Sequence, residues 1–534
     1  MTNVSRLTLS CLLVLLVLSG GAFCSAPAAT SPADALFAQA QFELARKAYA
    51  GDEVNAPNDP APRVGLIRTL LRMDHWDDAL IEAKAFAAKF PQNADTHGLL
   101  SLALIRAGWQ EPYADEAKQS LALDTNDYWG LVASGRAADW DGRTEDARTA
   151  FRKASEVHPE WPDAWGDILV LDDNGNLTKE ILGVAQTYLK LNPHGHPHDE
   201  IAEDTREMLV HVPEFQAAFR TDPPYQHAGV LDADAARGSA QTPSLTVEFL
   251  GDYAVFPVTI NSIPFRLLFD TGGGSDILLS WNAAKHLHLP SLVHSYVRGV
   301  SGKEKSDTLK AQTMTLAGQI YKSIKIETAG ALEDTGDGIL GGDILQNSVV
   351  TLDFEKRTAT LAQGSAAQAP QILPGDGSIS LPFHFYHGDL YLPLSLNGVP
   401  VWALVDTGAI ITTLSLRLAQ QQLKDVPKED VWRGSYSGRH GIGSTDQKME
   451  YVASRDESQI TLSQTPPVSI PTQTLGTSDA DRQVSPSSGC DFEVSLWLGM
   501  SSLTYAHRLT FDYPRRLLTF EYKIPDDTLK PKKK

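Results

Sequence analysis

The tripeptide Asp-Thr-Gly occurs twice in this chain of 534 residues, at positions 270–272 and 406–408. Residues 245–272 align with residues 381–408 without a gap, and identical residues extend well beyond the motif. The alignment pairs Leu245, Phe249, Pro257, Asn261, Pro264 and Leu268 with Leu381, Phe385, Pro393, Asn397, Pro400 and Leu404. The chain therefore contains two copies of one folding unit, and each copy presents one aspartate.

Each motif follows a predicted β-hairpin, because two runs of strand-forming residues flank a short Asn-Ser or Asn-Gly turn. The predicted strands are 255–260 and 265–269 in the first copy, and 391–396 and 401–405 in the second. Asp270 and Asp406 each follow two apolar residues, so we expect partly desolvated surroundings that raise the pKa of each carboxyl group. Gly272 and Gly408 allow a sharp turn with the backbone close to that carboxylate.

This pattern resembles the aspartic proteases, whose signature is an apolar pair, Asp-Thr-Gly and then a small residue, here Gly273 or Ala409. A second feature of that family is a run of two apolar residues and a glycine that packs beside the motif. Residues 339–341 and 497–499 match that run, and a similar closing strand follows each of them, at 350–354 and 509–513. Both halves of an aspartic protease are therefore expected on this one chain.

The segment 337–345 is more similar to the bacterial retropepsin-like enzymes than to the larger pepsins. Those relatives are usually homodimers with one aspartate per subunit, whereas here the duplicated lobes make dimerisation unnecessary for the active site. The resemblance extends over residues 244–522 and implies a mostly-β, two-lobed acid-protease fold.

The resemblance implies that Asp270 and Asp406 form a catalytic pair and that Thr271 and Thr407 hydrogen-bond across the interface between the lobes. Two carboxylates a hydrogen bond apart cannot both ionise cheaply, so the pair keeps one proton. The ionised aspartate would take a proton from a water molecule while the protonated one donates to a peptide carbonyl. The implied substrate is a polypeptide in extended conformation, and no cofactor is implied.

A glycine-containing stretch lies between motif and closing strand in each copy, at residues 298–302 and 433–438. In relatives this region forms a flap over the peptide, which makes four glycines candidate flap residues: Gly299, Gly302, Gly434 and Gly438. The alternative is that both stretches are ordinary surface hairpins. The further glycines that follow in the second copy predict that its flap is the more mobile one.

Residues 31–219 are rich in Ala, Leu, charged residues and Trp, with helical periodicity in six segments. These segments are 63–73, 76–90, 96–107, 114–123, 129–139 and 144–157. Turn segments recur every 33–34 residues, the period of tetratricopeptide-like helical hairpins. Such an array either binds a partner protein or the substrate, or serves as a spacer and folding support. We interpret the histidine-containing residues 194–200 as a polar turn, and we expect no metal site.

The first 29 residues predict a bacterial Sec-type signal peptide, with Arg6 before an apolar run and small residues at 25–29. Periplasmic or secreted location follows, without a membrane span after signal removal. Residues 21–23 before Cys24 do not fit the lipoprotein pattern, and an uncleaved anchor is the other alternative. The net charge of −20 argues against nucleic acid as a partner, and we expect the basic residues 525–534 to be a solvated tail.

The domain order predicted is therefore a helical repeat array followed by two tandem retropepsin-like lobes. The boundaries are 1–29 for the signal peptide, 31–219 for the repeats, 220–243 for a linker, 244–363 for lobe one, 364–377 for the interlobe linker, 378–524 for lobe two and 525–534 for the tail. The predicted function is an aspartic endopeptidase. Two alternatives stay open: a catalytically inactive peptide-binding protein that uses its repeats, and a hydrolase of cell-wall peptide stems.

Overall fold

A computed structural model describes residues 31–523, except for short gaps within that range. The gaps are 74, 107–112, 172–178, 193–200, 203–204, 207–208, 211–229, 232–243, 252, 274–276, 300–301, 331, 333–335, 364–375, 387, 439–446, 465–466 and 478–493. The predicted signal peptide, most of both linkers, the polar turn at 194–200 and the basic tail lie outside the described residues. Among the described helices, none is both long and apolar enough to cross a membrane.

The N-terminal part of the chain folds into a series of helices, as the periodicity predicts. They are α1 (Pro32–Ala38), α2 (Phe42–Asn55), α3 (Ala61–Arg72), α4 (Trp76–Lys89), α5 (Ala94–Arg106), α6 (Tyr113–Leu123), α7 (Tyr128–Trp140), α8 (Thr144–Val157), α9 (Asp163–Leu171) and α10 (Lys179–Leu191). Helices α5 and α7 approach closely at Gly98, where an added Cβ would lie 2.5 Å from the Gly130 nitrogen. Each helical hairpin buries its apolar face by stacking on the next one.

Lobe one, residues 244–363, is mostly β. Its elements are β2 (Ser244–Thr246), β3 (Glu248–Leu250), β4 (Tyr253–Ile260), β5 (Ile263–Asp270), β6 (Ile277–Ser280), α11 (Trp281–Lys285), β7 (Val293–Gly299), β8 (Gly302–Leu316), β9 (Gln319–Ala329), β10 (Gly338–Gly341), the 3-10 helix Asp343–Leu345, β11 (Ser348–Asp353) and β12 (Thr358–Gln363). A short strand β1 (Val230–Leu231) precedes the lobe and pairs with β9. The main sheet has the order β1-β9-β6-β10-β5-β4-β8-β7, with β3 paired to β4.

Lobe two, residues 376–523, repeats this plan. Its elements are β13 (Asp376–Pro382), β14 (His384–Tyr386), β15 (Asp389–Leu396), β16 (Val399–Val405), β17 (Thr413–Ser415), α12 (Leu416–Gln422), the 3-10 helix Lys428–Asp430, β18 (Val431–Gly438), β19 (Gln447–Gln464), β20 (Pro467–Thr477), β21 (Leu496–Leu498), α13 (Met500–Leu503), β22 (Arg508–Asp512) and β23 (Leu517–Lys523). The main sheet of this lobe has the order β14-β15-β16-β21-β17-β20-β19-β18.

A third sheet is shared by the two lobes, in the order β13-β23-β22-β11-β12-β2. Its centre is the antiparallel pair β11 and β22, the closing strands that the sequence predicts to be equivalent. Thr351 and Thr510 lie opposite each other there, with their hydroxyl oxygens 3.0 Å apart. Three strands from each lobe flank this axis in matching order, so the duplication produces a pseudo-twofold that turns one Asp-Thr-Gly motif towards the other.

The helical array packs against lobe two through Trp140, the last residue of α7. The Trp140 ring is 8% exposed and stacks on His384 at 4.7 Å between centroids, with Trp402 at 5.0 Å and Tyr391 at 5.2 Å. The same cluster includes Leu404, which precedes Asp406 by two residues on the strand β16. The array therefore contacts the strand that leads to the second motif.

We expect Trp140→Ala to destabilise the full chain by about 3–5 kcal/mol, the usual cost of removing a buried tryptophan. The ion pair of Arg417 with Asp77, at 3.0 Å, also joins array and lobe, but its exposure makes it a weak contact. Urea unfolding followed by tryptophan fluorescence and circular dichroism measures the effect. Tyr505→Ala, at a site 55% exposed, is the control and should shift the midpoint little. An unchanged midpoint for Trp140→Ala would show that the contact does not hold the array.

Candidate active site

Each Asp-Thr-Gly motif begins where a buried central strand ends. Strand β5 pairs antiparallel with β4 and parallel with β10, which sets Gly341 opposite Asp270. In lobe two, β16 pairs with β15 and with β21, and the Asp406 amide donates to the Leu498 carbonyl at 3.1 Å. The two apolar-apolar-glycine runs thus lie beside the motifs, where the family resemblance places them. Apolar strands on both sides fix the backbone that carries each carboxylate.

The two motifs face each other across the interface between the lobes. A Cβ added to Gly408 would lie 2.4 Å from the Asp270 carboxyl carbon, and one added to Gly272 would lie 2.8 Å from that of Asp406. Each motif glycine is therefore in contact with the aspartate of the other lobe, where no larger residue fits. The structure brings Asp270 and Asp406 together at one site.

Backbone amides hold the two carboxylates in nearly matching ways. The Gly272 amide donates to Asp270 Oδ1 at 2.9 Å, and the Gly408 amide donates to Asp406 Oδ1 at 2.8 Å. Asp406 Oδ1 also accepts from the Ala409 amide at 2.9 Å. All three amides donate to Oδ1 atoms. The Oδ2 atoms of Asp270 and Asp406 are therefore available to the other aspartate and to a water molecule.

The two motif threonines exchange hydrogen bonds between the lobes. The Thr271 amide donates to Thr407 Oγ1 at 3.0 Å, and the Thr407 amide donates to Thr271 Oγ1 at 3.1 Å. Each hydroxyl then donates to a carbonyl of the other lobe, Thr271 to Val405 at 2.5 Å and Thr407 to Phe269 at 2.8 Å. Both side chains are buried, with 0% and 2% exposure. These four bonds fix the loops that carry the aspartates.

Burial raises the pKa of both motif carboxyl groups. For Asp406, the negative charge of Asp270 and a hydrogen bond between the two side chains add to burial, so its pKa lies well above the ordinary value of 3.8. For Asp270 the Gly272 amide and the hydrogen bond with Asp406 oppose burial and limit the rise of its pKa. The pair therefore retains a shared proton at pH values where an isolated aspartate is ionised.

This raised pKa predicts a pH-dependent stability difference between wild type and Asp406→Asn. Protonation of the pair stabilises the fold fully below pH 3.8, and that stabilisation is lost as the pH rises through the raised pKa. Asparagine does not titrate, and its amide can donate to Asp270. We therefore expect the variant to have the higher unfolding midpoint at pH 7, with the difference shrinking towards pH 3.8.

Thermal unfolding measured from pH 3 to pH 8 tests this. Asp425→Asn is the control for the loss of one negative charge, because the Asp425 side chain is 88% exposed and its removal leaves the buried pair unchanged. A difference between Asp406→Asn and wild type that does not change with pH would contradict the coupling of the two carboxyl groups.

A third carboxyl group, that of Asp389, lies beside the pair and was not among the predicted site residues. The antiparallel register of β15 and β16 pairs Leu390 with Val405. The residue before Leu390, Asp389, therefore lies opposite the residue after Val405, Asp406. Its pKa is raised well above 3.8, first by burial and then by the charges of Asp270, Asp406 and Asp343. The duplication does not identify Asp389 as a site residue, because the gap-free alignment sets it opposite Tyr253. Extending the predicted hairpin by one residue pair would have placed Asp389 opposite Asp406.

Both predicted flaps are β-hairpins. In lobe one, Gly299 ends β7 and pairs with Gly302, the first residue of β8, so these two glycines are the last pair of the two strands. In lobe two, Gly438 ends β18 opposite Gln447, whereas Gly434 lies within the strand, where its missing side chain makes room for the Tyr451 ring. Residues 439–446, which connect β18 to β19, are not described. A closing movement over the aspartates stays a prediction.

The described residues contain no group of three or more His, Cys, Asp or Glu side chains arranged to hold a metal ion. No curated protein matches the chain significantly. Among solved structures, a thermophilic tetratricopeptide-repeat protein from Thermus thermophilus is 18% identical and has a TM-score of 0.27 over 33% of this chain and 95% of its own. The MamA protein is 20% identical, with a TM-score of 0.21 over 30% of this chain and 88% of its own.

A retropepsin-like aspartic protease from Rickettsia conorii is also similar in structure, at 20% identity and a TM-score of 0.19. The similarity covers 23% of this chain and 94% of that enzyme. The sequence of residues 256–344 matches the model of a protein family described as aspartyl protease. The part of this chain that matches the aspartyl protease family is therefore lobe one from β4 to the 3-10 helix after β10, with Asp270 in it.

Proposed function

We propose that this protein is an aspartic endopeptidase that hydrolyses peptide bonds of polypeptide substrates with Asp270 and Asp406 as its catalytic pair. The observation that carries the proposal is the mutual contact of the two motifs, in which each glycine meets the other lobe's aspartate. The reciprocal threonine bonds support it, since they hold two carboxylates together that would otherwise repel each other. The family match of lobe one supports the same activity.

In the proposed mechanism, a water molecule binds between the two carboxyl groups. The ionised member of the pair accepts a proton from that water, and the oxygen attacks the carbonyl carbon of the scissile peptide bond. The protonated member donates its proton to the carbonyl oxygen, which gives a gem-diol without a covalent link to the enzyme. The carboxyl group that took the proton from water then donates it to the peptide nitrogen, while a gem-diol hydroxyl gives its proton to the other carboxylate. The C–N bond breaks, and the pair again holds one proton.

The backbone of the site supports this chemistry. The amides of Gly272, Gly408 and Ala409 donate to the carboxylates and therefore stabilise negative charge without a competing proton. Burial excludes bulk water and strengthens the hydrogen bond between the pair. The substrate would lie extended between the lobes and under the hairpins β7–β8 and β18–β19, and bind partly through its own backbone.

We further propose that the enzyme is exported and that its helical repeats have a supporting or binding role. Export through the N-terminal signal segment would place the enzyme in the periplasm or outside the cell, where one chain with both lobes can act as a monomer. The contact of Trp140 with lobe two supports a role for the array as a folding support. The rest of the array would remain available for a protein partner or for a distant part of the substrate.

Incubation of the purified chain with an unbiased peptide library tests the activity, with cleavage sites read by mass spectrometry across pH 3–7. We expect cleavage within extended peptides, and we expect a peptide with a hydroxyethylene group in place of the scissile bond to inhibit it, because that group mimics the gem-diol. Binding of library peptides without cleavage at any pH would instead favour the inactive peptide-binding alternative. Cleavage restricted to cell-wall peptide stems would favour the second one.

A further inference from the structure

Asp389 occupies a junction between the lobes. The residue before it, Gly388, contacts lobe one, since its carbonyl oxygen lies 2.7 Å from the position of a Cβ on Gly342. Gly342 directly follows β10, the strand that pairs with the Asp270 strand. Asp389 itself is next to Asp406 in the sheet of lobe two. Its carboxyl group is therefore close to both catalytic aspartates.

Only one of the two carboxyl oxygens of Asp389 has a hydrogen-bonding partner among the described residues. Its Oδ2 accepts a hydrogen bond from the Tyr391 hydroxyl at 3.2 Å. Its Oδ1 is buried and has no hydrogen-bonding partner among the described residues. A buried polar oxygen without a partner costs free energy, so a ligand group that donates a hydrogen bond to it would gain from that contact.

The charges around Asp389 favour a positive ligand group. After burial, the charged groups that act on its carboxyl most strongly are three other carboxylates, those of Asp270, Asp406 and Asp343. The Arg516 guanidinium lies over the Phe385 ring, 5.0 Å from its centroid, and the nearby groups whose charges act on it are Tyr513 and Asp343. These carboxyl groups repel one another when they are ionised, and an incoming ammonium or guanidinium group would relieve that repulsion.

We infer that Asp389 is a specificity-determining residue of the substrate cleft, and that it selects polypeptides with a lysine or arginine side chain close to the scissile bond. This inference rests on the proposed peptidase function. The substrate cation would donate to Oδ1 of Asp389 while Tyr391 continues to hold Oδ2. A charge-assisted hydrogen bond at a desolvated site discriminates strongly against a neutral side chain of the same length.

Paired peptide substrates test this, each pair differing only by lysine or norleucine at one of the three positions on either side of the scissile bond. For wild type we expect kcat/KM to be at least about tenfold higher for lysine at one or more positions, which corresponds to about 1.4 kcal/mol. For Asp389→Asn we expect this lysine-to-norleucine ratio to fall to about one at those positions. Asp425→Asn changes an exposed side chain and should keep the wild-type lysine-to-norleucine ratio.

A wild-type enzyme that cleaves lysine and norleucine peptides equally at all positions overturns the inference, whatever the variant does. An Asp389→Asn variant that keeps the wild-type ratio overturns it as well, and would leave Asp389 only the role of holding Tyr391. If Asp389→Asn does not fold, calorimetric binding of reduced-bond peptides to wild type decides instead, with tighter binding of the lysine peptide expected. Failure of the peptidase function itself looks different, because no peptide is then cleaved or Asp270→Asn cleaves as fast as wild type.

Discussion

Replacing Asp270 or Asp406 with asparagine is expected to lower kcat/KM on any cleaved peptide by about 10³-fold or more. The chemistry needs one carboxylate that accepts a proton and one carboxylic acid that donates one, and general acid–base steps contribute about 10²–10⁴-fold each. Either variant removes one partner and also changes the proton affinity of the other, because the pKa of Asp406 is raised partly by Asp270. Steady-state kinetics on the best library peptide measures the loss.

Asparagine keeps the amide contacts of the site, which makes the loss interpretable as chemistry. Its side-chain oxygen can still accept from the Gly272 amide, or from those of Gly408 and Ala409. Asp115→Asn in helix α6 is the matched control, since that side chain is 80% exposed. Retention of more than a tenth of the wild-type kcat/KM in either active-site variant would remove the pair from the mechanism.

Local patterns predicted the elements that depend on neighbours in sequence. Helix α8 begins and ends where its periodicity indicates, and the hairpins before both aspartates form as predicted. Each of these elements is specified by apolar spacing and by a turn of two residues, which the sequence displays directly. The antiparallel strands β7 and β8, whose last pair is Gly299 and Gly302, are likewise neighbours in sequence.

Contacts between distant segments could not be predicted in the same way. The pairing of β11 with β22 joins residues that are about 160 positions apart, and strand sequences alone do not select a partner at that separation. In the sequence, Trp140 is one of several apolar residues of a predicted helix. Its contact with His384 depends on how the helical array packs against lobe two, which the helix pattern does not predict. Asp389 is a different case, because it lies in the hairpin that precedes Asp406, and it was missed because the two lobes differ in sequence there.

Replacing Thr407 with valine is expected to lower kcat about 100-fold and to destabilise the chain by about 2–6 kcal/mol, whereas Thr407→Ser should preserve most of both. Valine has nearly the size of threonine but leaves the Thr271 amide and the Phe269 carbonyl buried without a partner. Serine retains the hydroxyl and both bonds. Equal kcat values for the valine and serine variants would show that the hydroxyl does not position the pair.

The effects of the Thr271→Val and Thr407→Val substitutions are expected to be non-additive, which would show that the two pairs of hydrogen bonds depend on each other. Thr271→Val alone removes the bonds to the Thr407 amide and the Val405 carbonyl, and should match Thr407→Val in size. Once either pair of bonds is gone, the lobes can shift relative to each other, so the second substitution finds a contact that is already weakened. The double variant should therefore lose less than the sum of the single losses. Full additivity in kcat and in unfolding midpoint would mean that the two pairs of bonds between the lobes act independently in holding Asp270 and Asp406 together.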